Sequence, residues 1–309
     1  MAEIQQYVFF DFEMLCSDQG MPYESMESIR IGAVKYELGS GSIHFFDRYI
    51  KPINNEPLSN FCKELTGIRD IELLFADSFD VIFKSFLFWV GGVKKTQFFS
   101  WSKSDLTRLQ LDAKNHEIPI TTIDEISKRY VDFQAVFSRR VTKNNVSVEN
   151  ALKLYGLDFI GEPHNPMYDA YNTLRIYFSF INEPERTDIL MLEHYLLGEP
   201  ISCMLQINEK LDECLNKDIK ELMRDIHFIY PMKTFLKVLK NTQKRIIKYQ
   251  NVQANRSKMV SRTNLQKINQ LNTFYKELKS SYAEHNMYGC KVLILEDFVK
   301  VHLTGEVKT

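Results

Sequence analysis

Residues 6–13 read QYVFFDFE, and the reading of these eight positions decides the fold. The apolar and aromatic run from Gln6 to Phe12 suits a buried strand, and it closes on Asp11-Phe12-Glu13, where the apolar pattern stops. Side chains two apart on an extended chain point to the same side, so Asp11 and Glu13 share one face at the strand's end. Carboxylates in that position face either a site or solvent. A D-x-E pair alone is also an ordinary surface feature, so the rest of the chain has to separate the two readings.

Outward from this strand, SIRIGAVKYEL reads as a second strand, GSGS as a tight hairpin turn and IHFFDRYIKP as a third strand stopped by Pro52, an antiparallel meander. EPLSNFCKELTGI predicts a short helix ending at Gly67, and SFDVIFKSFLFWVGG has the spacing of an amphipathic helix closed by Gly91-Gly92. TQFFSW is strand-like and runs into Ser104 and Asp105, either of which suits a helix cap. ITTIDEISKRYVDF supplies a helix or loop and a short strand. SVENALKLYGLDF has the cap, periodicity and Gly156 stop of a helix, and NPMYDAYNTLRIYFSFIN is a further helix. The alternation describes a mixed α/β sheet flanked by helices.

From about Glu183, after the Asn182-Glu183-Pro184 break, charged stretches rich in Leu, Ile and Met with almost no glycine predict a mainly α-helical C-terminal domain. The expected domains are 1–182 and 183–309. The ending GCKVLILEDFVKVHL reads equally as a strand pair or a helix. The net charge of −1 hides an asymmetry: residues 231–280 hold twelve Lys or Arg and one acid, Glu277, so this segment carries +11 and the remainder −12. Such a split suggests an acidic body with a basic partner-binding arm.

Apolar residues make up 44% of 309, enough for a substantial core. No run approaches the roughly 18 apolar residues of a membrane span, and the N-terminus lacks the pattern of a secretory signal, so a cytoplasmic protein without a membrane partner is expected. The five cysteines, Cys16, Cys62, Cys203, Cys214 and Cys290, form no CxxC and read as reduced thiols.

A magnesium or manganese site needs hard oxygen ligands converging from separate elements. Asp11 and Glu13 offer two. Asp105, just after a strand, offers a third, although taken alone a helix cap is the commoner explanation of an acid there. If the last helix of this half begins near Pro166, Asp169 sits in its opening turn and His164 in the loop above the same end. An imidazole there is placed to take a proton from water made more acidic by a cation.

In this order, D-x-E, a strand followed by Asp105, then H-x-x-x-x-D entering a helix, the chain resembles the DnaQ-like DEDDh 3′→5′ exonucleases. DFEMLC, NNEPLSNFCKELTGI, FFSWSKSD and YGLDFIGEPHNPMYDAYNTLRI are similar to the branch of KapD-like bacterial proteins and histone-mRNA and small-RNA 3′ exonucleases. The resemblance covers residues 5–180 and implies a ribonuclease-H-like fold.

It further implies two divalent metal ions, Mg²⁺ or Mn²⁺. Asp11, Glu13 and Asp169 would bind the tightly held one, and Asp11 and Asp105 the second. His164 would be the general base for hydrolysis of single-stranded RNA or DNA 3′ ends to 5′-mononucleotides. A related subclass places Tyr four residues before the last Asp; that position here is Asn165, so Tyr168 is not its equivalent. The resemblance also implies substrate contacts at Phe12, Met14, Leu65 and Thr66, positions that read equally as core packing.

One departure is visible: relatives carry an acid before Ile-Gly in the second strand, where this chain has Arg30-Ile31-Gly32. A regulatory protein-binding module on the same fold is the alternative reading, opposed by the presence of all five expected site residues.

Beyond the resemblance, Lys233, Lys237, Lys240, Lys244 and Lys248 recur at three- and four-residue intervals, as for one helix face. Leu236, Leu239, Ile246, Ile247 and Tyr249 leave apolar positions for docking. Nucleic-acid phosphates are the expected contact. The rival is docking on the acidic body, in cis or in a homo-oligomer, or on another protein partner through the C-terminal domain.

Overall fold

The computed structural model describes residues 3–201, 203–225 and 229–295, and the chain divides into two compact units. Met1–Arg139 with Asn144–Asn182 form the first, Arg140–Lys143 with Glu183–Thr309 the second.

In the first unit, β1 (Gln6–Met14), β2 (Ser28–Glu37), β3 (Ile43–Tyr49), β4 (Thr96–Ser100) and β5 (Tyr130–Asp132) form a sheet in the order β3-β2-β1-β4-β5. The β1-β2 and β2-β3 pairs are antiparallel, the meander read from sequence. The β1-β4 and β4-β5 pairs are parallel and need helical crossovers. The helices are α1 (Asn60–Thr66), α2 (Asp70–Leu74), α3 (Phe79–Val90), α4 (Lys103–Asn115), α5 (Ile120–Ser127), α6 (Phe133–Phe137), α7 (Val148–Leu154) and α8 (Pro166–Asn182).

Alternation along β1 assigns its two faces. Val8, Phe10 and Phe12 pack with Phe79, Phe83 and Phe86 of α3 and Leu106 and Leu109 of α4 in one buried cluster. Tyr7 and Phe9 point the other way, where Phe9 stacks on Phe99 at 4.6 Å and both Tyr7 and Phe9 meet Tyr177 of α8 at 5.5 Å. A sheet covered on both faces explains the nearly continuous apolar reading of β1.

The helix starts follow side-chain caps: the Ser59 hydroxyl accepts from the Cys62 N–H, Ser147 from Asn150, and Ser102 from Ser104. The cap of α4 is therefore Ser102 and neither Ser104 nor Asp105, because Ser102 keeps the extended backbone a cap requires while the other two are already helical.

The second unit holds α9 (Pro184–Met191), α10 (Ile207–Asp225), α11 (Met232–Ile247), α12 (Gln250–Ala254), α13 (Arg262–Met287) and a small ladder of β6 (Ile229–Pro231) with β7 (Val292–Ile294). Leu211, Leu215 and Leu222 of α10, Phe235, Leu239 and Ile246 of α11, and Ile268, Leu271, Phe274 and Leu278 of α13 share one core. Of the undecided ending, residues 292–294 are strand, and everything after Leu295 lies outside the described residues.

Leu239, Ile246 and Tyr249 are buried in this core, whereas Leu236 and Ile247 are exposed. They project outside the arc occupied by the buried residues and do not dock. No helix among the described residues is long and apolar enough to cross a membrane.

Candidate active site

On β1 the parity that sends Tyr7 and Phe9 toward α8 also sends Asp11 and Glu13 there. Asp169 lies eight residues nearer the start of α8 than Tyr177, about 12 Å along the axis. Asp11 and Glu13 lie two and four residues beyond Phe9, about 7 and 13 Å along the strand. The helix thus runs against the strand and brings its first turn level with the two acids. One carboxylate oxygen each from Asp11, Glu13 and Asp169 lies within 4.8 Å of the others.

Gly32 permits this approach. It pairs with Asp11 across the β1-β2 ladder, and a Cβ on it would stand 1.9 Å from the Met167 nitrogen and 2.1 Å from the Pro166 carbonyl carbon. Only a residue without a side chain lets the first turn of α8 rest on the sheet here.

Asp105 comes from the first turn of α4, immediately after β4, and is only 3% exposed. Its Oδ1 accepts the Phe12 N–H at 3.3 Å, and its charge is among those that raise the Asp11 carboxyl. It therefore adjoins the three converging acids from the neighbouring strand's side.

His164 is exposed and has a φ of 62°. The left-handed backbone at a non-glycine residue is an uncommon conformation, held here by its surroundings. Buried Asn172 on α8 receives the Ile160 N–H at 3.2 Å and donates to the Ile160 carbonyl at 2.9 Å, tying the loop that carries His164 to the helix that carries Asp169.

The electrostatics is that of crowded carboxylates. Burial, then the charges of Asp105, Asp169 and Glu13, hold the Asp11 carboxyl well above the usual range. Burial and the charges of Asp169 and Asp105 push Glu13 from 4.5 to about 8, against a smaller opposing effect of Arg30. Burial raises Asp105 to about 7 despite the Phe12 N–H, and burial with the Glu149 charge raises Asp169 to about 7. A buried group of acids with so little positive charge nearby suits a hard cation, and every donor is oxygen.

The sequence reading named Arg30 only as a departure from the relatives' pattern, and it passed over two further neighbours, Glu149 and Arg108. Glu149, in the first turn of α7, carries a charge that raises the Asp169 carboxyl. In the sequence it looks like any acid after a Ser cap. Arg30 faces Glu13 across the ladder, forks onto Asp47 at 2.8 and 2.6 Å, and lies 4.9 Å from the Tyr49 ring centroid. Arg108 of α4 is fully buried, pairs with Asp112 at 2.8 Å and donates to the Tyr23 carbonyl at 2.9 Å, while Asp112 accepts the Ser28 N–H at 3.2 Å. This network fastens the segment between β1 and β2 to the helix that bears Asp105.

Of the expected substrate residues, the Phe12 ring belongs to the core, and the Thr66 hydroxyl is buried, donating to the Cys62 carbonyl at 2.7 Å. Met14 is half-buried and Leu65 is 37% exposed, which leaves these two side chains available to a ligand. Lys233, Lys237, Lys240 and Lys244 are exposed on α11, whereas Lys248 follows the helix and pairs with Asp218 at 2.5 Å.

Comparison with known proteins agrees with this geometry. The model of the Exonuclease family (RNase_T) matches residues 8–177, more than half of the chain. ERI1 exoribonuclease 2 of Mus musculus is 22% identical over 234 residues, covering 68% of this chain and 31% of that protein. The 3′-5′ exoribonuclease 1 of Rattus norvegicus is 26% identical over 213 residues, covering 65% of this chain and 55% of that one. The chain thus spans between about a third and a little over half of these two relatives.

The nuclease domain of 3′hExo, a DEDDh family member solved bound to rAMP, superimposes with a TM-score of 0.53 at 23% identity, over 59% of this chain and 95% of that domain. The likeness to that domain is one of fold. The chain belongs to the Exonuclease family, with a ribonuclease-H-like fold.

Proposed function

We propose that the chain is a metal-dependent 3′→5′ exonuclease that shortens single-stranded nucleic acid, RNA in preference to DNA, and releases 5′-mononucleotides. The observation that carries this reading is the convergence of Asp11, Glu13 and Asp169 within 4.8 Å, with the buried Asp105 beside them on the Phe12 N–H. Family membership supports the reaction class, and the names of the mouse and rat relatives, both exoribonucleases, support RNA.

In this reading residues 1–182 are the catalytic domain and residues 183–309 a helical domain whose basic segment, 231–280, holds nucleic acid. Asp11, Glu13 and Asp169 hold one divalent cation, Mg²⁺ or Mn²⁺, and Asp11 with Asp105 a second. When bound, such cations polarise the phosphodiester and make an attacking water more acidic. His164 accepts that water's proton on its imidazole, presented from the lip of the site by the loop that Asn172 ties down. Leu65 and Met14 offer apolar contact to the terminal base.

The test follows 20-nucleotide single strands of RNA and DNA, labelled at either end, in Mg²⁺ or Mn²⁺ with chromatography of the products. A 5′-labelled RNA should shorten in single steps, a 3′-label should be released at once as a mononucleotide, and DNA should be cut more slowly. Internal cuts, or release from the 5′ end, would overturn the reading.

A further inference from the structure

We propose that the outward face of α11 is a track for the phosphate backbone of single-stranded nucleic acid, formed by Lys233, Lys237, Lys240 and Lys244. At 100° per residue these four fall within an arc of about 60°, and the buried Phe235, Leu239, Thr242 and Ile246 are centred nearly opposite. The packing of α11 in its own unit therefore turns all four lysines away from the core, and all four are exposed. Lys233 and Lys244 are separated by about 16 Å along the axis.

The disposition of the other cations isolates this set. The basic segment contains twelve Lys or Arg. Arg245, Lys248 and Lys267 are used within the unit, pairing with Glu221, Asp218 and Asp212 of α10 at 3.3, 2.5 and 2.5 Å. The four outward lysines make no ion pair among the described residues, and α11 contains no acid.

Like charges three and four apart on a helix destabilise it. The pairs Lys233/Lys237, Lys237/Lys240 and Lys240/Lys244 all stand in that relation, so the row weakens the free helix and is relieved by a polyanion that neutralises it. Beside the row, a groove of about 540 Å³ brings Arg224 and Asn241 next to Lys237, with Leu222, Ile229 and Val238 as its apolar lining. Cations in a row beside an open groove fit a sequence-independent backbone contact.

The proposal concerns binding and holds whether or not the acid cluster hydrolyses the strand. It is tested on the full chain with chelator present, by fluorescence anisotropy of a labelled 20-nucleotide oligouridylate across a salt series. The log of affinity against log salt should fall with a slope of about 0.7 per neutralised phosphate. Replacing Lys233, Lys237, Lys240 and Lys244 together by Gln should reduce that slope by roughly 2 to 3 and weaken binding on the order of tenfold or more.

Replacing the same four by Arg should retain the slope. Replacing Lys94, Lys95, Lys114 and Lys128 of the first unit by Gln, an equal change of net charge, should also retain it. A wild-type slope in the α11 Gln variant, or an equal loss in the control variant, would overturn the proposal. Equal displacement of the oligonucleotide by a polyglutamate peptide would overturn it in favour of an acidic protein surface.

Discussion

Raising the pH of the metal-free chain should destabilise its first unit, and replacing Glu13 by Gln should remove much of that effect. Glu13 holds its proton in the folded state up to about pH 8, while the unfolded chain releases it near 4.5. Between those values the folded state binds more protons, so stability falls as pH rises through the window and levels off above it. Asp105 and Asp169, both raised to about 7, act in the same direction.

The Glu13 interval corresponds to about 5 kcal/mol if assigned to that residue alone. Because the repulsion is shared with Asp11, Asp105 and Asp169, removal of one carboxylate should recover about 2 to 5 kcal/mol at pH 8.5 and little at pH 5. Carboxyls held below the usual range, such as Asp70, Glu72 and Asp80, act at the acid end and leave this window clear.

The assay is urea unfolding followed by tryptophan fluorescence, since Trp89 and Trp101 both lie in the first unit. Mg²⁺ or Mn²⁺ should restore the wild type at pH 8.5 and help Glu13→Gln much less. Equal pH dependence in the two proteins would refute the reasoning.

Three further predictions follow from the same geometry. His164→Ala should lower turnover by about 10²- to 10⁴-fold, the usual contribution of a positioned base. The midpoint of thermal unfolding should stay unchanged, because the ring is exposed; single-turnover nucleotide release and calorimetry measure the two. Gly32→Ala places a methyl 1.9 Å from a backbone nitrogen of α8 that cannot move alone. It should cost about 3 kcal/mol or more and abolish stabilisation by metal, read from urea midpoints with and without Mn²⁺. Arg108→Ala strands the buried Asp112 carboxylate and should cost about 3 to 5 kcal/mol. The double change with Asp112→Ala should be milder than the sum of the singles, as a double-mutant cycle will show.

The parts of this molecule that can be read from sequence are those fixed by local periodicity. Alternation along β1 places Asp11 and Glu13 on one face, Pro166 marks the start of α8, and together these bring Asp169 toward the pair. Residues whose meaning depends on distant partners resist such reading. Glu149 looks like other helix-start acids such as Asp70, Asp80 and Glu185 until the fold sets α7 beside α8. Arg30 looks like a lost acid until Asp47 and Glu13 appear on either side of it. Phe12 reads as a contact or as core with equal ease, and parity on the sheet decides for core. Along α11 the lysine spacing is visible in the sequence, but only the ion pairs with α10 separate Lys248 from the four that face outward. The cap of α4 was ambiguous for a smaller reason, since Ser102, Ser104 and Asp105 are all good capping residues within one turn.

The central claim is that the acids gathered at Asp11 hold cations that drive hydrolysis from the 3′ end. Its most direct measurement is the length of a 5′-labelled single-stranded RNA on a denaturing gel after incubation with the full chain in Mg²⁺, in Mn²⁺ and in chelator, beside Asp11→Asn. The account predicts a ladder of products one nucleotide apart with either metal, and none in chelator or with the variant. A full-length band in both metals, or an equal ladder from Asp11→Asn, would contradict it.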